Sequence, residues 1–247
     1  MRAFLRPLKD FGAVQADGIV SSDIVGYQQT NITDGNLNMT GVAFENVNGT
    51  DLNLNDLTGE GLKIGDSDED ADVVMVWRPE DSGYDIFAYC DNYDGTASWY
   101  DMYGSAEPII PAGKGFWFSA YNTGKSNRTL CAAGAVISED DTTINLVGGN
   151  LNMVVNPYPT TVDLNDATQV VLQNLTVGDS DEDADVVMVW RAEDSGYDIF
   201  AYCDNYDGTA SWYDMYGSAE PVIQSGKGFW FSAKAGNGKA LKFIRPY

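Results

Sequence analysis

Residues 65–78 read GDSDEDADVVMVWR, and residues 178–191 repeat that string letter for letter. The end of each string, Asp72–Arg78 and Asp185–Arg191, is a nearly continuous apolar run of strand length. Such a run predicts a strand buried on both faces, not one half in water. Behind the first run comes the turn Glu80-Asp81-Ser82-Gly83 and then Tyr84–Cys90, so Val73–Tyr89 is expected to form a β-hairpin. Working outward, Gly65–Ala120 realigns on Gly178–Ala233 with a shift of 113 residues. Four of the 56 positions differ: Pro79/Ala192, Ile109/Val222, Pro111/Gln224 and Ala112/Ser225. Copies this close record a recent duplication, so a residue's presence in both does not mark it as functional.

The flanks have diverged but still align. Gly35–Met39 matches Gly149–Met153, and Leu54-Asn55-Asp56 matches Leu164-Asn165-Asp166. Each unit is therefore about 110 residues, the size of a β-sandwich and too long for a solenoid repeat. Further strands are expected at 36–44, 98–103, 115–120 and 128–132, with partners at 150–155 and 240–244. The predicted fold is all-β: tandem duplicated antiparallel β-sandwich-like domains at 21–135 and 136–247, after a tail or degenerate export signal at 1–20. In that tail Arg2, Arg6 and Lys9 precede Val14-Gln15-Ala16, a small-residue cleavage pattern without a proper apolar stretch before it.

Composition narrows the functions. Lys and Arg number 14 against 37 Asp and Glu, for a formal charge of −23. A surface this negative repels phosphate backbones, which argues against nucleic acid as a partner. No apolar run reaches membrane-spanning length. Histidine is absent, so neither a Ser-His-Asp nor a Cys-His arrangement exists. Gly113-Lys114-Gly115 is too short for a phosphate-binding loop and lacks the Ser or Thr that should follow. The three cysteines, Cys90, Cys131 and Cys203, are expected to be mostly buried thiols; Cys90 and Cys203 could pair only if their strands abut. A non-catalytic protein is expected.

Two features carry candidate chemistry. In Asp66, Asp68, Asp70 and Asp72, and again in Asp179, Asp181, Asp183 and Asp185, carboxylates stand at every second position. They can converge on a hard cation such as Ca²⁺ if the chain coils. In an extended chain the same alternation makes only a solvated acidic face, and both readings stay open. The second feature is Trp99, Tyr100 and Asp101, with Trp212, Tyr213 and Asp214, a ring-and-carboxylate set of the kind that holds a sugar. Strand alternation sends Trp99 and Tyr100 to opposite faces, so at least one ring is expected in solvent, while tryptophans in strands usually belong to cores. Asp91-Asn92-Tyr93-Asp94-Gly95 reads as an ordinary tight turn.

The second unit contains Gly149-Asn150-Leu151-Asn152-Met153-Val154-Val155-Asn156-Pro157-Tyr158-Pro159 and, later, Ser225-Gly226-Lys227-Gly228-Phe229-Trp230-Phe231. This pairing resembles the "NPYP … GxGFW" β-sandwich modules in secreted and surface proteins of Bacteroidota and of the Verrucomicrobiota–Lentisphaerota group. The first unit shares only the second half of the pattern, at Gly113–Phe118. The resemblance implies export and a non-catalytic β-fold, and no particular ligand. The expectation is an extracellular or cell-surface structural protein that self-associates into a fibre, layer or matrix. The alternative is a bivalent module for surface glycans, stabilised by calcium.

Overall fold

A computed structural model of the chain describes residues 25–46 and 51–247; the tail at 1–20 lies outside the described residues. The first unit contributes β1 (Val25–Ile32), β2 (Leu37–Gly41), β3 (Leu52–Asn53), β4 (Val73–Arg78), β5 (Gly83–Asp91), β6 (Ala97–Asp101), β7 (Ile109–Ile110), β8 (Gly115–Ser119) and β9 (Arg128–Ala135). The second contributes β10 (Asp141–Asn145), β11 (Leu151–Val155), β12 (Val162–Asp163), β13 (Val170–Gln173), β14 (Val186–Arg191), β15 (Gly196–Asp204), β16 (Ala210–Asp214), β17 (Val222–Ile223), β18 (Gly228–Ser232) and β19 (Ala240–Ile244). Among the described residues the one helical element is a 3-10 turn at Leu54–Asp56.

Each unit builds one large antiparallel sheet, in the order β2-β8-β4-β5-β6 or β11-β18-β14-β15-β16. A smaller sheet closes over it: β1-β9 in the first unit and β10-β19-β13 in the second. The first unit's counterpart of β13 is reduced to a single bridge between Thr58 and Cys131. Val74, Val76, Phe87, Trp99, Phe116 and Phe118 from the large sheet meet Ile32, Leu130 and Ala132 from the small one. Val187, Phe200, Trp212, Phe229 and Phe231 meet Leu241 and Phe243 in the same way. The fold is the predicted all-β, antiparallel, sandwich-like one.

The opposite face of each large sheet explains the doubly buried run. Side chains alternate along β4, so Val74 and Val76 enter their own core while Met75 and Trp77 point the other way. There they join Met39 and Trp117 against Met153, Trp190 and Trp230 of the second unit. The rings meet edge to face, Trp77 with Trp230 at 5.5 Å and Trp117 with Trp190 at 5.4 Å. Trp77 Nε1 donates to Leu151 O at 2.7 Å, and Trp190 Nε1 donates to Leu37 O at 2.8 Å. These two bonds exchange equivalent residues, the pattern of an isologous dimer written into one chain. The same symmetry gives the bridges Thr40–Lys227 and Val154–Lys114. Glycine permits that approach: a Cβ on Gly115 would stand 2.9 Å from Val154 O, and one on Gly228 2.5 Å from Thr40 O.

Two buried ion pairs tie the sheets together. Asp72, fully buried, binds Arg128, whose guanidinium also takes Asp34 at 2.8 Å and the Tyr121 carbonyl at 2.8 Å. In the second unit the equivalent Asp185 binds Lys239 at 2.6 Å, and Thr176 Oγ1 takes a second ammonium proton at 2.7 Å. The larger, five-donor guanidinium has two carboxylates, and the smaller ammonium has one. Cys90, Cys131 and Cys203 are free and buried. Tyr158 of the Asn-Pro-Tyr-Pro segment is fully buried, its hydroxyl donating to Glu139 O at 2.9 Å.

Candidate functional site: a tyrosine and carboxylate face on each unit

The β5–β6 hairpin and the acidic loop before β4 together form an exposed face. Asn92 fixes the hairpin end, its amide donating to Thr96 Oγ1 at 2.7 Å and Ser98 Oγ at 3.0 Å. Its carbonyl oxygen accepts from the Tyr100 hydroxyl at 2.6 Å. Tyr93 sits at the tip with φ of 60°, a left-handed conformation that a tyrosine adopts at a cost and that Asn or Gly would take more easily. The Tyr93 hydroxyl donates to Asp66 at 3.3 Å, and Tyr103 reaches the same loop, donating to Asp68 at 2.7 Å. The rings themselves stay in water: Tyr93 is 84% exposed, Tyr100 47% and Tyr103 73%.

The second unit repeats the arrangement. Tyr206 donates to Asp179 at 3.0 Å, Tyr216 to Asp181 at 2.8 Å, and Tyr213 to the Asn205 carbonyl. The Coulombic field of Asp66, then its hydrogen bond, pushes the Tyr93 phenol above its ordinary range. For Tyr103, Tyr206 and Tyr216 the hydrogen bond to the facing carboxylate leads and its charge follows, in the same direction. All four therefore remain neutral donors across the physiological range.

The alternating carboxylates do not converge. Asp70 turns back to accept from the amides of Asp66 at 3.0 Å and Ser67 at 2.9 Å, which holds its carboxyl below the usual range. Asp183 does the same with the amides of Asp179 and Ser180. Asp72 and Asp185 are withdrawn into the buried ion pairs, leaving Asp66, Asp68, Asp179 and Asp181 to the tyrosines. Among the described residues no group of three or more His, Cys, Asp or Glu is placed to share a metal ion. The spacing that suggested a calcium loop distributes its members among four different partners.

The ring-and-carboxylate set is also redistributed. Trp99 and Trp212 are each 2% exposed and lie in the sandwich cores, so neither is the sugar platform expected of it. Alternation then leaves Tyr100 and Tyr213 on the surface. Asp101 is spent on the backbone: despite some desolvation, the amides of Ala106, Tyr103 and Gly104 hold its carboxyl below the ordinary range. Asp214 repeats this with Ala219, Tyr216 and Gly217. The face therefore rests on Tyr93 and Tyr206, in what reads as a tight turn, and on Tyr103 and Tyr216; the sequence places Tyr103 at the end of a strand over 98–103, but that strand stops at Asp101. One signal could have found Tyr93 and Tyr206: an aromatic inside an Asp-Asn-Tyr-Asp-Gly turn has no core to enter.

Flat rings with clamped hydroxyls, next to carboxylates with spare lone pairs, can stack on and accept hydrogen bonds from a hydroxylated ligand. No helix among the described residues is long and apolar enough to cross a membrane. No family model, curated protein or solved structure matches the chain.

Proposed function

We propose that this chain is a non-catalytic, extracellular or cell-surface module that binds polymeric glycans at two points. The observation that carries the reading is the duplicated face of three exposed tyrosines per unit, two of them clamped on carboxylates. Both copies ride on one body, because the tryptophan seam ties the units together. Fixed geometry lets two weak sites act as one strong one on a repeating ligand, with avidity gains of about 10²–10⁴. Two carboxylates beside the face, Asp70 and Asp94, are unsuited to acid–base work. Both are held below the ordinary range by hydrogen bonds, so they are anions at neutral pH and poor proton donors.

The test is a polysaccharide array with the Tyr93→Asn and Tyr206→Asn variants. Asparagine suits the left-handed turn better than tyrosine, so both variants should fold at least as well as the parent while losing one ring. Each single variant should drop from bivalent to monovalent binding, and the double variant should not bind. Binding that is absent throughout, or indifferent to both substitutions, rules the reading out.

A second reading, self-assembly into a fibre or layer, has one observation in its favour. Among the described residues β1 pairs with β9 on one side and with no strand on the other, and it exposes Val25 and Tyr27. The large sheets are less open, since Asn55 takes the outward amide of Trp99 and Asn165 that of Trp212, both at 2.8 Å. Light scattering at rising concentration decides it: a strictly monomeric chain removes assembly.

A further inference from the structure

Two clefts flank the seam between the units, of about 280 Å³ and 270 Å³, and the pseudo-two-fold exchanges them. The first is lined by Pro79, Glu80 and Pro111–Lys114 of one unit and by β10 and β11 of the other. The second is lined by Ala192, Glu193 and Gln224–Lys227, with β1 and β2. Six of the 56 aligned repeat positions line each cleft, yet three of the four differences fall there: Pro79/Ala192, Pro111/Gln224 and Ala112/Ser225. The facing strands differ in the same sense. Ile144 and Val147 in the first cleft stand where Thr30 and Thr33 stand in the second. The equivalence is fixed by register, since Ile144 pairs with Leu241 as Thr30 pairs with Leu130. Apart from the Pro79/Ala192 exchange, each change sets an apolar side chain against a hydroxyl or an amide.

A lysine lines both clefts, beside the equally constant Glu80 or Glu193 and Gly113 or Gly226. Lys114 and Lys227 are half-buried, and among the described residues neither ammonium makes a hydrogen bond or an ion pair. Glu80 and Asp85 act on Lys114 only through space, and Asp85 is already held by Arg78. Glu193 and Asp198 stand in the same relation to Lys227, with Asp198 held by Arg191. Desolvation outweighs those charges and lowers both lysines from their ordinary range. A half-buried ammonium without a bonded anion is unfavourable, and a bound carboxylate relieves it.

We infer that the two clefts are carboxylate-binding sites of diverged selectivity, the Lys114 cleft for an aliphatic carboxylate and the Lys227 cleft for a hydroxylated one such as a sugar acid. In the first, the carboxylate meets Lys114 and the chain lies on Pro79, Pro111, Ile144 and Val147. In the second, Thr30, Thr33, Gln224 and Ser225 supply hydrogen-bonding partners for hydroxyls around an anion on Lys227. These clefts involve none of the tyrosines of the exposed faces, so the inference stands or falls separately from the glycan reading.

The experiment is amide NMR titration of the full chain with hexanoate and with glucuronate. Hexanoate should shift Gly113, Lys114 and Val147, and glucuronate should shift Gly226, Lys227 and Thr33. Lys114→Gln should weaken hexanoate about tenfold or more without touching glucuronate, and Lys227→Gln should do the converse. Lys114→Arg, which keeps the charge, should retain hexanoate. A Pro111→Gln, Ala112→Ser variant should weaken hexanoate and gain glucuronate at the first cleft. An unchanged melting temperature confirms that each variant is folded. The inference is overturned if neither probe shifts a cleft residue, if both clefts take both probes equally, or if the Lys→Gln variants bind like the parent.

Discussion

Replacing Trp77 by alanine should separate the two units without unfolding either. Trp77 is 9% exposed, meets Tyr84 at 4.9 Å and Trp230 at 5.5 Å, and donates to Leu151 O at 2.7 Å. Truncating a buried tryptophan costs about 3–5 kcal/mol. Within that figure the hydrogen bond accounts for about 1 kcal/mol, and each edge-to-face contact for about 0.5–1.5 kcal/mol. Trp190, at 8% exposure, makes the symmetric set with Tyr197, Trp117 and Leu37. Trp190→Ala should therefore match Trp77→Ala to within about 0.5 kcal/mol. The double variant should cost less than the sum, because the first truncation already loosens the seam the second would open. Urea denaturation followed by far-UV circular dichroism and tryptophan fluorescence reads all of this. The parent should unfold in one transition, and the variants in two non-coincident ones, since neither tryptophan belongs to a sandwich core. A loss under about 1 kcal/mol, or clearly unequal losses at the two sites, refutes the symmetric seam.

Four further outcomes follow from charge and burial. Lys239→Met leaves Asp185 buried without its cation and should cost about 3–5 kcal/mol by urea midpoint, while the more exposed Arg245→Met should cost about 0–1 kcal/mol. Although desolvation opposes it, Arg128 with Thr123 and Gly124 lowers Asp34 to about 2. A lowered folded-state carboxyl stabilises above its unfolded range, so stability should fall as pH drops from about 4 toward 2 in an acid titration monitored by circular dichroism. The phenols of Tyr93, Tyr103, Tyr206 and Tyr216 are raised, so their contribution is complete below pH about 10 and lost above it; absorbance at alkaline pH should show them ionising after the unfolded chain's tyrosines. Because the acidic loops spread their carboxylates among separate partners, CaCl₂ and NaCl at equal ionic strength should raise the melting temperature alike. A specific rise at micromolar Ca²⁺ would contradict that arrangement.

The duplication and the all-β fold were legible because they depend on local pattern. Tyr84–Cys90 after Asp81-Ser82-Gly83 is a hairpin wherever it occurs, and Met75 and Trp77 beside Val74 and Val76 announce two apolar faces. Pattern could not say what the second face touches, because that partner is the other copy of the same sheet. It also could not assign Trp99, whose side of the sheet follows from its register opposite Tyr89.

The acidic stretch shows the division most clearly. Sequence alone set Asp66, Asp68, Asp70 and Asp72 at alternating positions and gave the chain its excess of negative charge. Tertiary structure gave three of them their tasks, because those partners arrive from elsewhere in the chain: Tyr93 and Tyr103 from the hairpin and the loop after β6, and Arg128 from β9, while Asp70 caps the amides of its own loop. The fold class rests on side-chain periodicity, which each residue carries with its neighbours. The site rests on which distant group reaches a carboxylate first, and only the packed sheets decide that.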